Sequence, residues 1–162
     1  MNSKQEILKK RLFKLSKHYE ALKAYKQLID KLTAQTNIYT PESFNQLKIE
    51  DKAVLDAYLK RFSSVQDFLG AKIFSMLLDS AGIGTSKMSE VLYLVEKEGI
   101  IDSLDNWIEL REVRNELERD YPEDLEQALN DLKFCITQFE QLEKYYLNAV
   151  SFAKKYNYAL TE

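Results

Sequence analysis

The sequence predicts an all-α protein, an antiparallel up-and-down helical bundle of four main long helices plus one or two short helices. The chain of 162 residues contains only four Gly and two Pro, which leaves few turns and requires long elements. Its apolar residues recur every three or four positions, whereas no useful stretch alternates with a period of two. Long helices joined by short connections favour antiparallel packing. We expect residues 1–162 to form a single domain.

The first helix is predicted to cover roughly residues 3 to 33. Its apolar residues follow alternating steps of four and three, typical of a bundle seam, and they are Leu8, Leu12, Leu15, Tyr19, Leu22 and Ile29. His18, the only histidine, falls outside this seam and is interpreted as a solvated or incidental side chain. After a polar loop, Thr40-Pro41-Glu42 provides a capping hydroxyl, a proline and an acid, which together predict the start of a short helix.

The second long helix is predicted to run roughly from Ile49 to Ser80. Arg61 and Asp67 are charged residues on this mostly apolar helix, and their spacing does not make them direct partners. They either lie solvated at the edge of the buried stripe or turn toward a functional site. Two glycines near Ala81–Lys87 are interpreted as helix stops, because the spacing does not match a phosphate-binding loop.

A third, shorter helix should end at Gly99, and Asp102 or Ser103 should cap the fourth helix. The last helix is predicted to start at Pro122 and to continue to about Tyr156.

The fourth helix carries the most informative stretch, Trp107 to Pro122. Leu110, Val113 and Leu117 form an apolar stripe. A second, polar stripe comprises Arg111, Arg114, Asn115 and Glu118. Arg119, Asp120 and Tyr121 follow on the last turn, where Pro122 should end the helix. Arginines, an amide and a phenol at one helix end form a group suited to binding an anion.

Composition and charge exclude several classes of protein. The single cysteine, Cys135, excludes an intramolecular disulfide and a cysteine–histidine zinc site, and no cofactor is expected. No apolar run has the length of a membrane span and no signal core is present, so we expect a cytoplasmic protein without a membrane partner. Residues 1–31 are rich in Lys, whereas residues 96–131 are acidic. These are either solvated faces or, for the basic region, a surface that collects RNA or an acidic partner.

The stretch from Trp107 to Pro122 resembles the signature of the HEPN superfamily. The resemblance is to HepT-like toxins, which pair with minimal nucleotidyltransferase antitoxins. Their pattern is Arg-Asn-x-x-x-His-x-Tyr, usually followed by Pro, after a Trp-x-x-x-Arg-x-x-Arg run. The matching residues are Trp107, Arg111, Arg114, Asn115, Tyr121 and Pro122, while Arg119 occupies the position of the family histidine. The resemblance extends to Arg61-Phe62 and Gln66-Asp67, and covers roughly residues 50–155.

The resemblance implies a homodimer in which the two signature helices meet and cleave RNA without a metal. The implied catalytic residues are Arg114, Asn115, Arg119 and Tyr121, with Arg111, Arg114 and Arg119 binding RNA phosphate and Arg61, Asp67 and Glu118 in support. Because a guanidinium stays protonated, Arg119 cannot act as a base, and the chain should bind RNA better than it cuts it. The resemblance also implies a minimal nucleotidyltransferase antitoxin as partner, and Tyr121 as the residue that receives AMP from it.

Two alternatives remain open on the sequence. Arg119 either marks a naturally non-catalytic member or results from a mutation that disarmed an active toxin. The rival function is a non-enzymatic helical interaction or adaptor protein, such as the substrate-binding partner of a nucleotidyltransferase. In that case the basic first helix binds an acidic partner, and Arg114 is structural.

Overall fold

The computed structural model describes residues 3–121 and 123–156, and every regular element within them is a helix. The α-helices are α1 (Ser3–Gln35), α2 (Pro41–Asn45), α3 (Ile49–Phe68), α4 (Phe74–Ser80), α5 (Met88–Lys97), α6 (Leu104–Asp120), α7 (Leu125–Thr137) and α8 (Phe139–Tyr156). A π-helical turn, Leu69–Ile73, joins α3 to α4. The predicted all-α helical bundle is confirmed.

Helix α1 packs antiparallel to the segment formed by α3, the π turn and α4. The start of α1 reaches α4, where Lys4 Nζ lies 3.4 Å from Asp79 Oδ2. Further along α1, His18 Nδ1 lies 2.8 Å from Arg61 Nη1 on α3. The side chains of Leu8, Leu15, Leu22 and Ile29 are buried, and Leu12 and Tyr19 are partly buried against the core. The predicted seam of the first helix therefore faces the core.

The π turn interrupts the predicted second helix without ending it. A π turn leaves backbone carbonyls without the usual partner four residues on. Arg11 of α1 donates from Nη1 to the carbonyl oxygen of Lys72 at 3.0 Å, which satisfies one acceptor of this turn. A Cβ on Gly70 would lie 3.3 Å from Cζ2 of the buried Trp107, so the glycine allows the turn to approach α6 closely.

The predicted helix starts are found at Thr40 and Ser103. The Thr40 hydroxyl accepts from the Ser43 amide at 3.2 Å, and the Ser103 hydroxyl accepts from the Asn106 amide at 3.0 Å. Asp102, the other capping candidate, instead accepts hydrogen bonds from α8, including one at 2.9 Å from the Tyr145 hydroxyl. The pair Ile100-Ile101 is buried at the end of the bundle.

The prediction of one last helix is wrong, because a break at Gln138 separates α7 from α8. The Thr137 hydroxyl donates to the Phe134 carbonyl at 3.0 Å, a bond that competes with helical pairing and bends helices. The break allows α7 to follow α6 while α8 packs against α1 and α4. Helix α7 begins after its cap Asp124, whose side chain accepts from the Gln127 amide. The predicted start at Pro122 lies outside the described residues.

Candidate functional site

Arg114 anchors α6 to α3. Its side chain is buried at 7% exposure, and Nη2 donates to Asp67 Oδ1 at 2.6 Å. Its Nη1 donates to Gln66 Oε1 and to the Ser63 carbonyl, both at 3.2 Å. Gln66 in turn donates from Nε2 to the Trp107 carbonyl at 2.9 Å. Two turns of α3 therefore fix the guanidinium, and the predicted phosphate fork of Arg114 is occupied within the chain.

Burial of Arg114 divides the predicted polar stripe. Arg114 shares the helix face of Leu110 and Leu117, because these residues are spaced i, i+4 and i+7. Arg111, Asn115, Glu118 and Arg119 are exposed to solvent. The outward-facing part of the stripe thus contains one arginine, one amide and one carboxylate, and Arg119 adds a second exposed arginine next to it. The sequence shows this spacing of Arg114 from Leu110 and Leu117, but the charge of an arginine favours a position outside the core.

The two charged residues predicted on α3 point in different directions. Asp67 turns toward α6 and Arg114, whereas Arg61 turns toward α1 and His18. Arg61 therefore does not join the residues at the end of α6.

His18 is not a solvated or incidental side chain, which corrects the sequence interpretation. It is half-buried beside α3, and its ring lies 6.1 Å from that of Phe68, centroid to centroid. Burial first, then the charges of Arg61 and Lys14, lower the pKa of His18 below the ordinary histidine value. Because a guanidinium can only donate, Nδ1 of the neutral imidazole accepts the bond from Arg61.

Tyr121 lines a groove of about 490 Å³ formed by α2, α3, α6 and α7. Its ring is 49% exposed and meets Phe44 edge-on, with 6.3 Å between centroids. The apolar lining comprises Phe44, Leu55, Leu59, Leu117, Ala128, Leu129 and Leu132. Carboxylates of Asp56, Asp67 and Glu118 reach the same groove.

A smaller cavity of about 170 Å³ lies beside Arg111. Gln66, Asp67, Gly70 and Ala71 contribute its α3 and π-turn side, and Trp107 belongs to its lining on α6. Asp67 lines both cavities, so the residue that pairs with Arg114 stands between them.

Sequence reasoning missed the buried polar residues behind the site. Gln66 was part of the resemblance but was not assigned a role, although it bridges Arg114 and Trp107. Asp131 on α7 is buried, and its Oδ2 has no hydrogen-bond partner among the described residues. Burial raises the pKa of Asp131, and nearby Glu116 and Asp120 raise it further. Cys135 is also buried, which raises the pKa of its thiol to about 12 and makes it inert.

The end of α6 can bind an anion, but its described residues include no histidine. Arg111 and Arg119 carry exposed guanidinium groups that can grip phosphate, and neither forms an ion pair within residues 3–121 and 123–156. The histidine contacts α3 instead of α6. Within the described part of the chain, no three His, Cys, Asp or Glu side chains form a group that could hold a metal ion.

Comparisons with family models, with curated proteins and with solved structures find no match to this chain. No helix among the described residues combines the length and apolarity needed to cross a bilayer.

Proposed function

We propose that this chain is a HEPN-type, toxin-like component of a toxin–antitoxin pair, which binds RNA or nucleotide at the end of α6 and cuts it poorly. One observation carries the proposal. The resemblance rests on two stretches that are separate in sequence, and Asp67 and Gln66 from one contact Arg114 from the other. The family motif thus matches residues on two different helices, and these residues are in contact, which supports the resemblance.

In this proposal, Arg111 and Arg119 bind the RNA phosphates and Arg114 is a positioning residue. Arg111, Asn115 and Arg119 are spaced i, i+4 and i+8 and are exposed along one side of α6. Arg114 holds this side in register by fixing α6 on α3. Arg119 stabilises phosphate charge but cannot accept a proton, so RNA would bind without efficient cleavage.

A minimal nucleotidyltransferase is the proposed partner, with Tyr121 as the AMP acceptor. The phenol oxygen would attack the α-phosphorus of ATP, forming a phosphodiester, releasing pyrophosphate and losing its proton. Exposure of the ring at 49% leaves Tyr121 open to such a partner. The added negative charge would lie on the same last turn as Arg119 and compete with RNA for it.

RNA-binding titrations at low salt test the proposed function. The parent should bind a short single-stranded RNA, and the double variant Arg111→Gln/Arg119→Gln should bind it about 100-fold more weakly or worse, since each of the two charge-assisted contacts contributes roughly 1.5–3 kcal/mol. The control Lys23→Gln/Lys97→Gln removes the same charge from exposed positions on α1 and α5. A parent that binds no RNA would contradict the proposed function. Equal losses of RNA affinity in both double variants would show that the end of α6 is not the RNA-binding site.

The apolar groove favours a second candidate, a non-enzymatic adaptor that binds a nucleotidyltransferase. A groove of about 490 Å³ lined mainly by Leu, Phe and Ala can bury an apolar side chain of a partner. Occupation of the Arg114 fork by Asp67 also agrees with a structural arginine. If this candidate is correct, the parent protein forms a stable complex with a minimal nucleotidyltransferase and does not bind RNA.

A further inference from the structure

Basic side chains of α1 and of the α3–π segment, which consists of α3 and the π turn, lie along the antiparallel contact between them. We call Arg11, Lys14 and His18 of α1, with Arg61 and Lys72 opposite, the cationic strip. Arg11 contacts the Lys72 carbonyl, Lys14 Nζ lies 5.7 Å from the Phe68 ring centroid, and His18 contacts Arg61. Arg11 and His18 are seven residues apart, so this contact line extends roughly 10 Å along α1.

Within the described residues, the members of the cationic strip form no ion pairs, although Asp79 lines the same cavity as Arg11. The partners of Arg11 are a carbonyl oxygen and the Met76 sulfur, and the partner of Arg61 is an imidazole nitrogen. Most surface cations simply remain solvated, but Arg61 donates to the neutral imidazole of His18 and forms no ion pair within the described residues. Its positive charge can therefore attract an anion bound at the strip.

The same turns of α1 also carry an exposed aromatic ring on their solvent side. The Phe13 side chain is 64% exposed, and Lys17 Nζ lies 4.9 Å from its ring centroid. Lys9, Lys10 and Lys14 surround it in sequence and are exposed as well. Single-stranded nucleic acid is bound by this combination of cations along the backbone and an aromatic face for a base. An acidic peptide would use the cations but would not require the ring.

The cationic strip also lies next to the proposed α6 site. Gly70 and Ala71 line the small cavity that contains Arg111, while Phe68 and Lys72 of the same helical segment contact α1. Arg111 and the strip therefore flank one helix. We propose that the cationic strip and Phe13 form a second contact surface for single-stranded RNA, which extends the α6 site across the α3–π segment. This inference rests on the proposed RNA-binding function.

The single histidine allows a direct test by proton NMR. His18 is the only histidine of the chain, so its ring protons give one resolvable titration. Burial first, then the facing charges of Arg61 on α3 and Lys14 on α1, lower its pKa, and RNA phosphates at the strip should raise that pKa again. The probe is a short single-stranded oligouridylate, with polyglutamate as the competing anion. A raised His18 pKa with oligouridylate supports the proposal.

Variants distinguish RNA from other anions. Lys14→Gln/Lys72→Gln should lower the slope of log affinity against log salt by roughly 1.4, or about 0.7 for each phosphate contact. Lys23→Gln/Lys97→Gln is the control of equal charge. Phe13→Ala should weaken oligouridylate binding roughly five-fold or more through lost stacking, whereas Tyr93→Ala removes an exposed ring on α5 and should have no effect.

Separate outcomes overturn the inference and the proposed function. If oligouridylate binds and Arg111→Gln/Arg119→Gln weakens it while the His18 pKa stays constant, the cationic strip is not an RNA surface and the proposed function stands. If the parent binds no oligouridylate, both fail. Equal His18 responses to polyglutamate and oligouridylate, with no effect of Phe13→Ala, would assign the strip to an acidic protein and overturn the inference.

Discussion

At the scale of single residues, the site is defined by how its charges are paired. Asp67 and Gln66 hold Arg114, and Gln66 also fixes the backbone of Trp107. Breaking such a network leaves a buried charge or amide without a partner, which is destabilising. Arg114→Ala is therefore expected to affect both folding and RNA binding, so exposed Arg111 and Arg119 are the better positions for testing the site.

Residue types and spacing predicted only part of the exposure pattern of α6. Arg111, Asn115 and Glu118 are exposed as expected from the polar stripe. Arg114 is not, because its burial depends on Asp67 and Gln66 from α3, and one helix gives no information about a partner on another. The same limitation explains His18, whose environment is created by Arg61, 43 positions away.

Asp131→Asn is expected to stabilise the protein at neutral pH by about 1 kcal/mol, because it removes the charge of a buried carboxylate that has one unpaired oxygen. The folded carboxyl has a raised pKa, so its charged form destabilises the fold above that pKa. The folded carboxyl becomes neutral as pH falls through the raised pKa, and below the ordinary value it is neutral in both states, so the gain should decline over this range and disappear. Urea unfolding at several pH values measures this difference, with the exposed Asp56→Asn as control. A gain that is independent of pH would contradict the assignment.

At the scale of elements, the sequence predicted most helices and their ends. Thr40 and Ser103 are caps as expected, and the glycines that stop α4 and α5 adopt positive φ. The break at Gln138 was not predictable from periodicity, because apolar residues continue at steps of three and four across it. It coincides with the local Thr137–Phe134 bond and with a change of packing partners, since α7 and α8 pack against different helices.

Gly99→Ala is expected to destabilise the protein by about 1 kcal/mol, because Gly99 has φ of +78° at the end of α5. Gly84→Ala is the matched control, since neither glycine has an atom within 4 Å of an added Cβ and Gly84 lacks the positive φ. Thermal or urea unfolding of the two variants measures the difference. Equal stabilities would show that backbone conformation does not determine this helix end.

At the scale of the whole molecule, we propose a homodimer through α6. Two copies related by a two-fold axis can place Arg111 of one against Glu118 of the other, because both residues are exposed and lie two turns apart on one side. Arg114 cannot contribute, since it is paired within its own chain.

Light scattering at micromolar concentration should give twice the chain mass of 19.0 kDa. Glu118→Arg should shift the protein toward monomer, because it places like charges across the axis. The control Glu98→Arg makes the same charge change beyond the end of α5. A monomeric parent over the whole concentration range would rule out this dimer.

The most direct test of the central claim, that the end of α6 is an impaired RNase site, is cleavage of a short RNA by Arg119→His in the presence of a chelator. Histidine restores a group that titrates near neutral pH, and such a group typically contributes on the order of 10²-fold or more to the rate. Arg119→Gln is the control, because it removes the charge without adding a titrating group. We predict that Arg119→His cleaves RNA faster than both the parent and Arg119→Gln. Equal, negligible cleavage by all three proteins would contradict the claim.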